Sequence, residues 1–143
     1  MSREQIEAAI PHRPPFLLLD EIVSWDENRI HCRKTFPASE PFYQGHYPKF
    51  PVTPGVLLVE AGMQAGAVLL SKHVTPDANA VPVAARINDV RFKRMVRPGE
   101  VIDIEVELVE RMADAWFLKA KVSCGKQVAA RFEFAVTLAK MGE

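Results

Sequence analysis

The sequence predicts an α+β domain in which a curled antiparallel sheet wraps around one long helix. Three observations carry this. The second half of the chain alternates apolar and charged residues with a period of two, the pattern of strands with one wet face. Residues 54–70 form the one long helix candidate, apolar on nearly every side, so it must be buried on nearly every side. The 143 residues suit a single domain, 1–143, long enough to close a core around that helix.

Taken in order, "QIEAAI" reads as a short helix stopped by Pro11, and a stiff Pro-containing turn follows. "FLLLDEIVSWD" and "RIHCRKTF" read as two strands joined by a polar turn at Asp26, Glu27 and Asn28. In the helix, Thr53 is the expected N-cap and Pro54 the expected first helical residue. Gly62 and Gly66 each cost roughly 1 kcal/mol there, and glycine at those positions lets another backbone approach closely. "VPVAARINDVRFKR" is a longer, less regular strand candidate. Three cleaner ones follow. Ile102, Ile104, Val106 and Leu108 alternate with Asp103, Glu105 and Glu107; Trp116, Leu118, Ala120 and Val122 share a face, as do Phe132, Phe134, Val136 and Leu138. "RPGE" and "CGK" supply turns. A sheet of this kind has strand edges to hide, so at least a dimer is expected.

The bulk chemistry narrows the function. Eighteen basic and eighteen acidic residues cancel, which offers no general attraction to nucleic acid or to an anionic membrane. The N-terminal stretch has no apolar core of a signal peptide, and Glu60 and Gln64 interrupt the best membrane-span candidate. Cys32 and Cys124 lack metal-binding spacing and read as reduced, buried thiols of a cytoplasmic protein; no metal site is expected.

The chemistry concentrates at residues 45–70. Glu60 is the single charged residue between Gly55 and Leu70. A carboxylate in a dry core must pair or keep its proton, unless the side chain turns out to solvent. Upstream, Pro48, Pro51 and Pro54 recur every third residue, which favours a stiff, polyproline-like path holding His46 at a fixed place relative to the helix. Gly55 falls in the first helical turn, where backbone N–H groups are free and the dipole is positive; without a side chain it lets an acyl oxygen approach. A base, an acid and an oxyanion donor are the parts needed to remove a proton beside a carbonyl and expel a leaving group.

"GHYPKFPVTPGVLLVEAGMQ" resembles the active-site signature of the FabZ-type 3-hydroxyacyl-[acyl-carrier-protein] dehydratases, approximately G-H-F-P-G-x-P-x-M-P-G-V-L-x-x-E-A-M-A-Q. "IPHRPPFLLLDEI" resembles that family's opening and "VRFKRMVRPGE" its central strand and turn, so the likeness covers most of the chain. The resemblance implies the hot-dog fold and a homodimer, often a trimer of dimers, with each active site shared between two chains. It implies His46 as the base for the C2 proton, Glu60 as the acid for the departing 3-hydroxyl, and the Gly55 N–H as the donor to the thioester oxygen. Gln64 is grouped with Gly55 at the substrate and is the expected orienting partner of Glu60. No metal or organic cofactor is implied, the substrate being carried on the phosphopantetheine of acyl carrier protein. The acid position holds glutamate, where the isomerising FabA-type relatives usually carry aspartate.

The chain departs from the pattern at Tyr47, Lys49, Thr53 and Gly62-Met63, which leaves the acyl tunnel's shape and chain-length preference open. Lys49 is either a contact for the carrier's phosphopantetheine phosphate or a solvated lysine. Arg91, Lys93, Arg94 and Arg97 either dock the acidic carrier or decorate a strand end. His12 and Arg13 either close over the site or fix their own turn. Two rivals stand beside the dehydratase: an acyl-thioester hydrolase on the same fold, and a non-catalytic acyl-carrier-binding subunit. A dehydratase dedicated to polyketide or other specialised acyl chains is a further variant.

Overall fold

A computed structural model describes residues 2–74 and 80–140 of the chain. Helix α1 (Ser2–Ala9) leads into an irregular segment, followed by β1 (Glu21–Trp25) and β2 (Arg29–Thr35). A single turn, α2 (Phe42–Gly45), precedes the long helix α3 (Gly55–Leu70). Four long strands complete the chain: β3 (Ala80–Phe92), β4 (Val101–Met112), β5 (Ala115–Cys124) and β6 (Gln127–Lys140). They form one six-stranded antiparallel sheet in the order β1-β2-β4-β5-β6-β3.

The alternation in the sequence becomes the two faces of this sheet. Ile102, Ile104 and Val106 of β4, Trp116, Leu118 and Val122 of β5, and Phe132, Phe134 and Val136 of β6 are buried. On the wet face, acidic residues of β4 stand opposite lysines of β5: Glu105 pairs in register with Lys121 and Glu107 with Lys119. Helix α3 lies across the buried face, packed against β2 through β6. Its glycines make this fit possible. A Cβ on Gly62 would stand 2.6 Å from Cζ of Phe132, and one on Gly66 2.6 Å from Cζ of Phe134. What approaches the helix is therefore a pair of phenyl rings, where the sequence suggested a backbone.

Three local expectations are corrected. Pro54, not Thr53, is the N-cap residue of α3, and no side chain caps it. The Thr53 hydroxyl instead shares a 2.6 Å hydrogen bond with the Tyr43 hydroxyl, a buried tertiary contact invisible to a local pattern. Leu17, Leu18 and Leu19 are buried but precede β1, because the Leu18 N–H donates to the Gln64 side chain and not to a neighbouring strand. The proline-rich connection is not extended throughout. Phe50 N–H donates to the Tyr47 carbonyl at 2.9 Å, closing a turn with Pro48 at its first corner and Tyr47 at φ 52°.

Candidate active site

The first three turns of α3, the turn carrying His46 and the segment after α1 supply the chemical groups. The His46 ring is half-buried, and its Nδ1 lies 2.9 Å from the Val52 carbonyl. A carbonyl only accepts, so it fixes the proton on Nδ1 and leaves the Nε2 lone pair free to act as a base. The chain after His46 loops back through residues 47–50 to bring Val52 under the ring, which gives the rigidity expected of the prolines by a different geometry.

Gly55 is the first residue of α3, so its N–H has no partner within the helix. The reason for glycine differs from the one expected. A Cβ there would stand 2.7 Å from Cε1 of Phe92, so the open side of Gly55 is filled by the last residue of β3.

One turn further, the Glu60 side chain is 23% exposed, so it is not sealed in the dry core that the helix pattern suggested. Its Oε2 accepts from Gln64 Nε2 at 3.0 Å, the i,i+4 spacing that places both side chains on one stripe of the helix. Gln64 itself is buried. Its Nε2 also donates to the Phe16 carbonyl at 2.9 Å, and its Oε1 accepts from Leu18 N–H at 2.8 Å. Every hydrogen-bonding group of this amide is used inside the protein, so Gln64 is not open to a substrate; it holds Glu60 and ties residues 16–18 to the helix.

His12 enters the same group. Its Nε2 lies 3.9 Å from Glu60 Oε2, while Arg13 fixes the turn by donating to the carbonyls of Glu7, Ile10 and His12. No hydrogen bond or ion pair joins His46 to Glu60 within this chain; the only basic side chain within 4.0 Å of the Glu60 carboxylate among the described residues is His12.

The basic cluster divides. Arg94 grips Glu100 through both terminal guanidinium nitrogens, at 2.7 and 3.1 Å, and its Nε donates to Gln127 Oε1 at 2.7 Å. That bidentate pair, with the Arg97 N–H, holds the Glu100 carboxyl below its usual range and closes the turn between β3 and β4. Arg94 therefore spends its charge within the chain. Arg91 is exposed and bonded to Asp89 at 3.0 Å. Lys49 and Lys93 are exposed, and exposed Arg97 lies over the Phe50 ring at 4.0 Å.

Cys32 and Cys124 are free and buried, and burial pushes the Cys32 thiol up to about 12, far from a reactive thiolate. Among the described residues no group of three or more potential ligands stands together to hold a metal, and no helix is long and apolar enough to cross a membrane.

Solved structures place the architecture in the hot-dog class. The dehydratase heterocomplex ApeI:P from Xenorhabdus doucetiae matches with a TM-score of 0.80 at 20% identity, over 96% of this chain and 93% of that one. A mutant thioesterase PA1618 from Pseudomonas aeruginosa matches at 0.70 and 12% identity, over 96% and 94%. At such identities the likeness concerns the fold alone. The FabA-like domain model matches residues 10–133. The 3-hydroxyacyl-[acyl-carrier-protein] dehydratase FabZ of Petrotoga mobilis is 37% identical over 140 residues, 98% of this chain and 99% of that protein. The FabZ of Caulobacter vibrioides is 40% identical over 140 residues, 96% and 88% respectively. The chain belongs to the FabA-like family, among its FabZ-type 3-hydroxyacyl-[acyl-carrier-protein] dehydratases.

Proposed function

We propose that this protein dehydrates 3-hydroxyacyl-[acyl-carrier-protein] to the trans-2-enoyl thioester and water, in fatty acid synthesis. The observation that carries the reading is the state of the two site groups: His46 with Nε2 free and Glu60 with one oxygen held by Gln64. His46 Nε2 removes the C2 proton. The charge that develops on the thioester oxygen is met by the Gly55 N–H at the positive end of α3, a kind of donor typically worth about 2.7–4 kcal/mol of barrier. Glu60 gives its proton to the 3-hydroxyl, which leaves as water. The proton then passes from His46 back to Glu60, and the cycle closes with no cofactor beyond the phosphopantetheine arm of the substrate.

Since His46 and Glu60 do not meet within one chain, each site takes His46 from one protomer and Glu60 of the partner subunit. The interface this requires runs along β3. That strand is an outer edge of the sheet, thirteen residues long, and it exposes Val83, Ile87, Val90 and Phe92. A homodimer, alone or in a trimer of dimers, pairs this edge with its copy. Lys49, Lys93 and Arg97, exposed and outside any ion pair among the described residues, would meet the acidic acyl carrier protein, in the cytoplasm.

Mass spectrometry of products tests this, with 3-hydroxyacyl chains of several lengths on acyl carrier protein and a His46→Ala control. Loss of water with the thioester intact, in the wild type alone, is the expected result. Release of free acid would make the protein a thioesterase. Carrier binding without turnover on any chain would make it a binding subunit.

A further inference from the structure

We propose that His12 is a positioning residue for Glu60, holding Oε2 with an Nε2–H donor so that the acid's proton sits on Oε1. The inference rests on the reading of Glu60 as the acid.

The ring's environment assigns its proton. Nδ1 of His12 is buried with no hydrogen-bond partner, so a proton on that nitrogen would be stranded. The proton therefore sits on Nε2, which faces Glu60 Oε2 at 3.9 Å. That separation is longer than a hydrogen bond, as is common for such contacts before substrate closes the site.

The surroundings hold the ring there. Arg13 locks the turn to the end of α1, with donor bonds of 2.9 Å to Ile10, 2.7 Å to His12 and 2.9 Å to Glu7 carbonyls. The Phe16 ring stacks on His12 at 6.4 Å and 25°. Gln64 donates both to the Phe16 carbonyl and to Glu60, so one buried amide sets the distance between the histidine segment and the acid. A histidine that merely fixed its own turn would bond to the backbone there. Neither ring nitrogen does; Arg13 performs that task.

Two donors, from Gln64 and His12, thus converge on Oε2, and among the described residues no lysine or arginine lies within 4.0 Å of the carboxylate. Oε1 is left to carry the proton toward the substrate. As Glu60 releases that proton to the leaving hydroxyl, negative charge grows on the carboxylate and the Nε2–H of His12 is drawn in. His12 keeps its own proton throughout, so the balance of the reaction is unchanged.

The geometry of amide substitutes gives the test. Glutamine places an N–H donor near the position of Nε2, whereas asparagine places one near Nδ1. His12→Gln should keep kcat within about 3-fold of wild type, while His12→Asn and His12→Ala lose about 10- to 100-fold in kcat with KM little changed. Wild-type kcat in His12→Asn and His12→Ala, with Glu60→Gln inactive, would overturn the inference and leave the acid assignment standing. Equal loss in all three His12 variants, with a raised KM or a lowered melting temperature, would reduce His12 to a structural residue. Turnover by Glu60→Gln itself would instead remove the acid reading.

Discussion

The sheet has two edges, and they are finished in opposite ways. At one, β1 has five residues, carries a bulge between Ile22 and Ser24, and is covered by α1, whose Ser2 hydroxyl donates to the Ile22 carbonyl at 3.2 Å. At the other, β3 runs for thirteen residues, is partly or fully exposed from Val81 to Phe92, and has no strand beyond it among the described residues. The proposed homodimer would use the longer, more apolar open edge and leave the blunted one free. The site tells the same story from the chemical side. His46 and Glu60 each have a fixed hydrogen-bond partner, and no hydrogen bond or ion pair joins the two within one chain.

The largest effect should come from charging the open edge. Ile87 on β3 is 42% exposed and Val23 on β1 is 43% exposed, so exposure alone cannot distinguish them. Ile87→Asp should place like charges across a symmetric interface, split the dimer and lower activity about 100-fold in dilute solution. Val23→Asp should change neither, as read by sedimentation and turnover. Equal behaviour of the two variants would break the comparison.

The covered edge should respond in stability and not in assembly. Ile6 of α1 is fully buried, and Ile6→Ala should cost about 2–4 kcal/mol by chemical denaturation while the dimer persists. A third change acts on the turn that ends β3. The Arg94 hydrogen bonds first, and the Arg97 N–H after them, lower the Glu100 carboxyl from its usual 4.5 in the folded chain. A depressed folded value means the stabilisation is complete above the unfolded value and is lost as pH falls through the folded one. Wild type should therefore be more stable than Glu100→Gln near neutrality, and the two should converge as pH falls from the unfolded value through the depressed folded one. Melting curves across that range would settle it. The smallest effect lies away from both edges. Ala113, in the turn between β4 and β5, sits at φ 53°, and Ala113→Gly should raise stability by about 0.5–1 kcal/mol with assembly and activity unchanged.

How legible all this was depended on the range of the interactions. Strands β4, β5 and β6 follow from periodicity, since one-sided burial writes itself directly into alternating residues, and helix α3 from a long run apolar on nearly every side. Strand β3 was the least regular candidate because, within one chain, its outer side faces no core. The Glu60–Gln64 pair is an i,i+4 contact and could be read from the helix. The tasks of Thr53, Gly55 and Leu18 depend on Tyr43, Phe92 and Gln64, which no local pattern brings near. Likewise, the separation of Arg94 from the other cations needed Glu100 folded back on it. The placement of His12 against Glu60 is of the same kind, joining two segments 48 positions apart.

The central claim is that one catalytic site needs two chains, and subunit mixing tests it most directly. His46→Ala and Glu60→Gln chains, each inactive alone, would be combined, the heterodimers isolated, and dehydration of a 3-hydroxyacyl-[acyl-carrier-protein] measured. Each heterodimer then holds one site with both wild-type groups and one with neither, so activity should return to about half that of the wild-type dimer. Verified heterodimers that remain inactive would contradict the shared site, and with it the role given to the open edge.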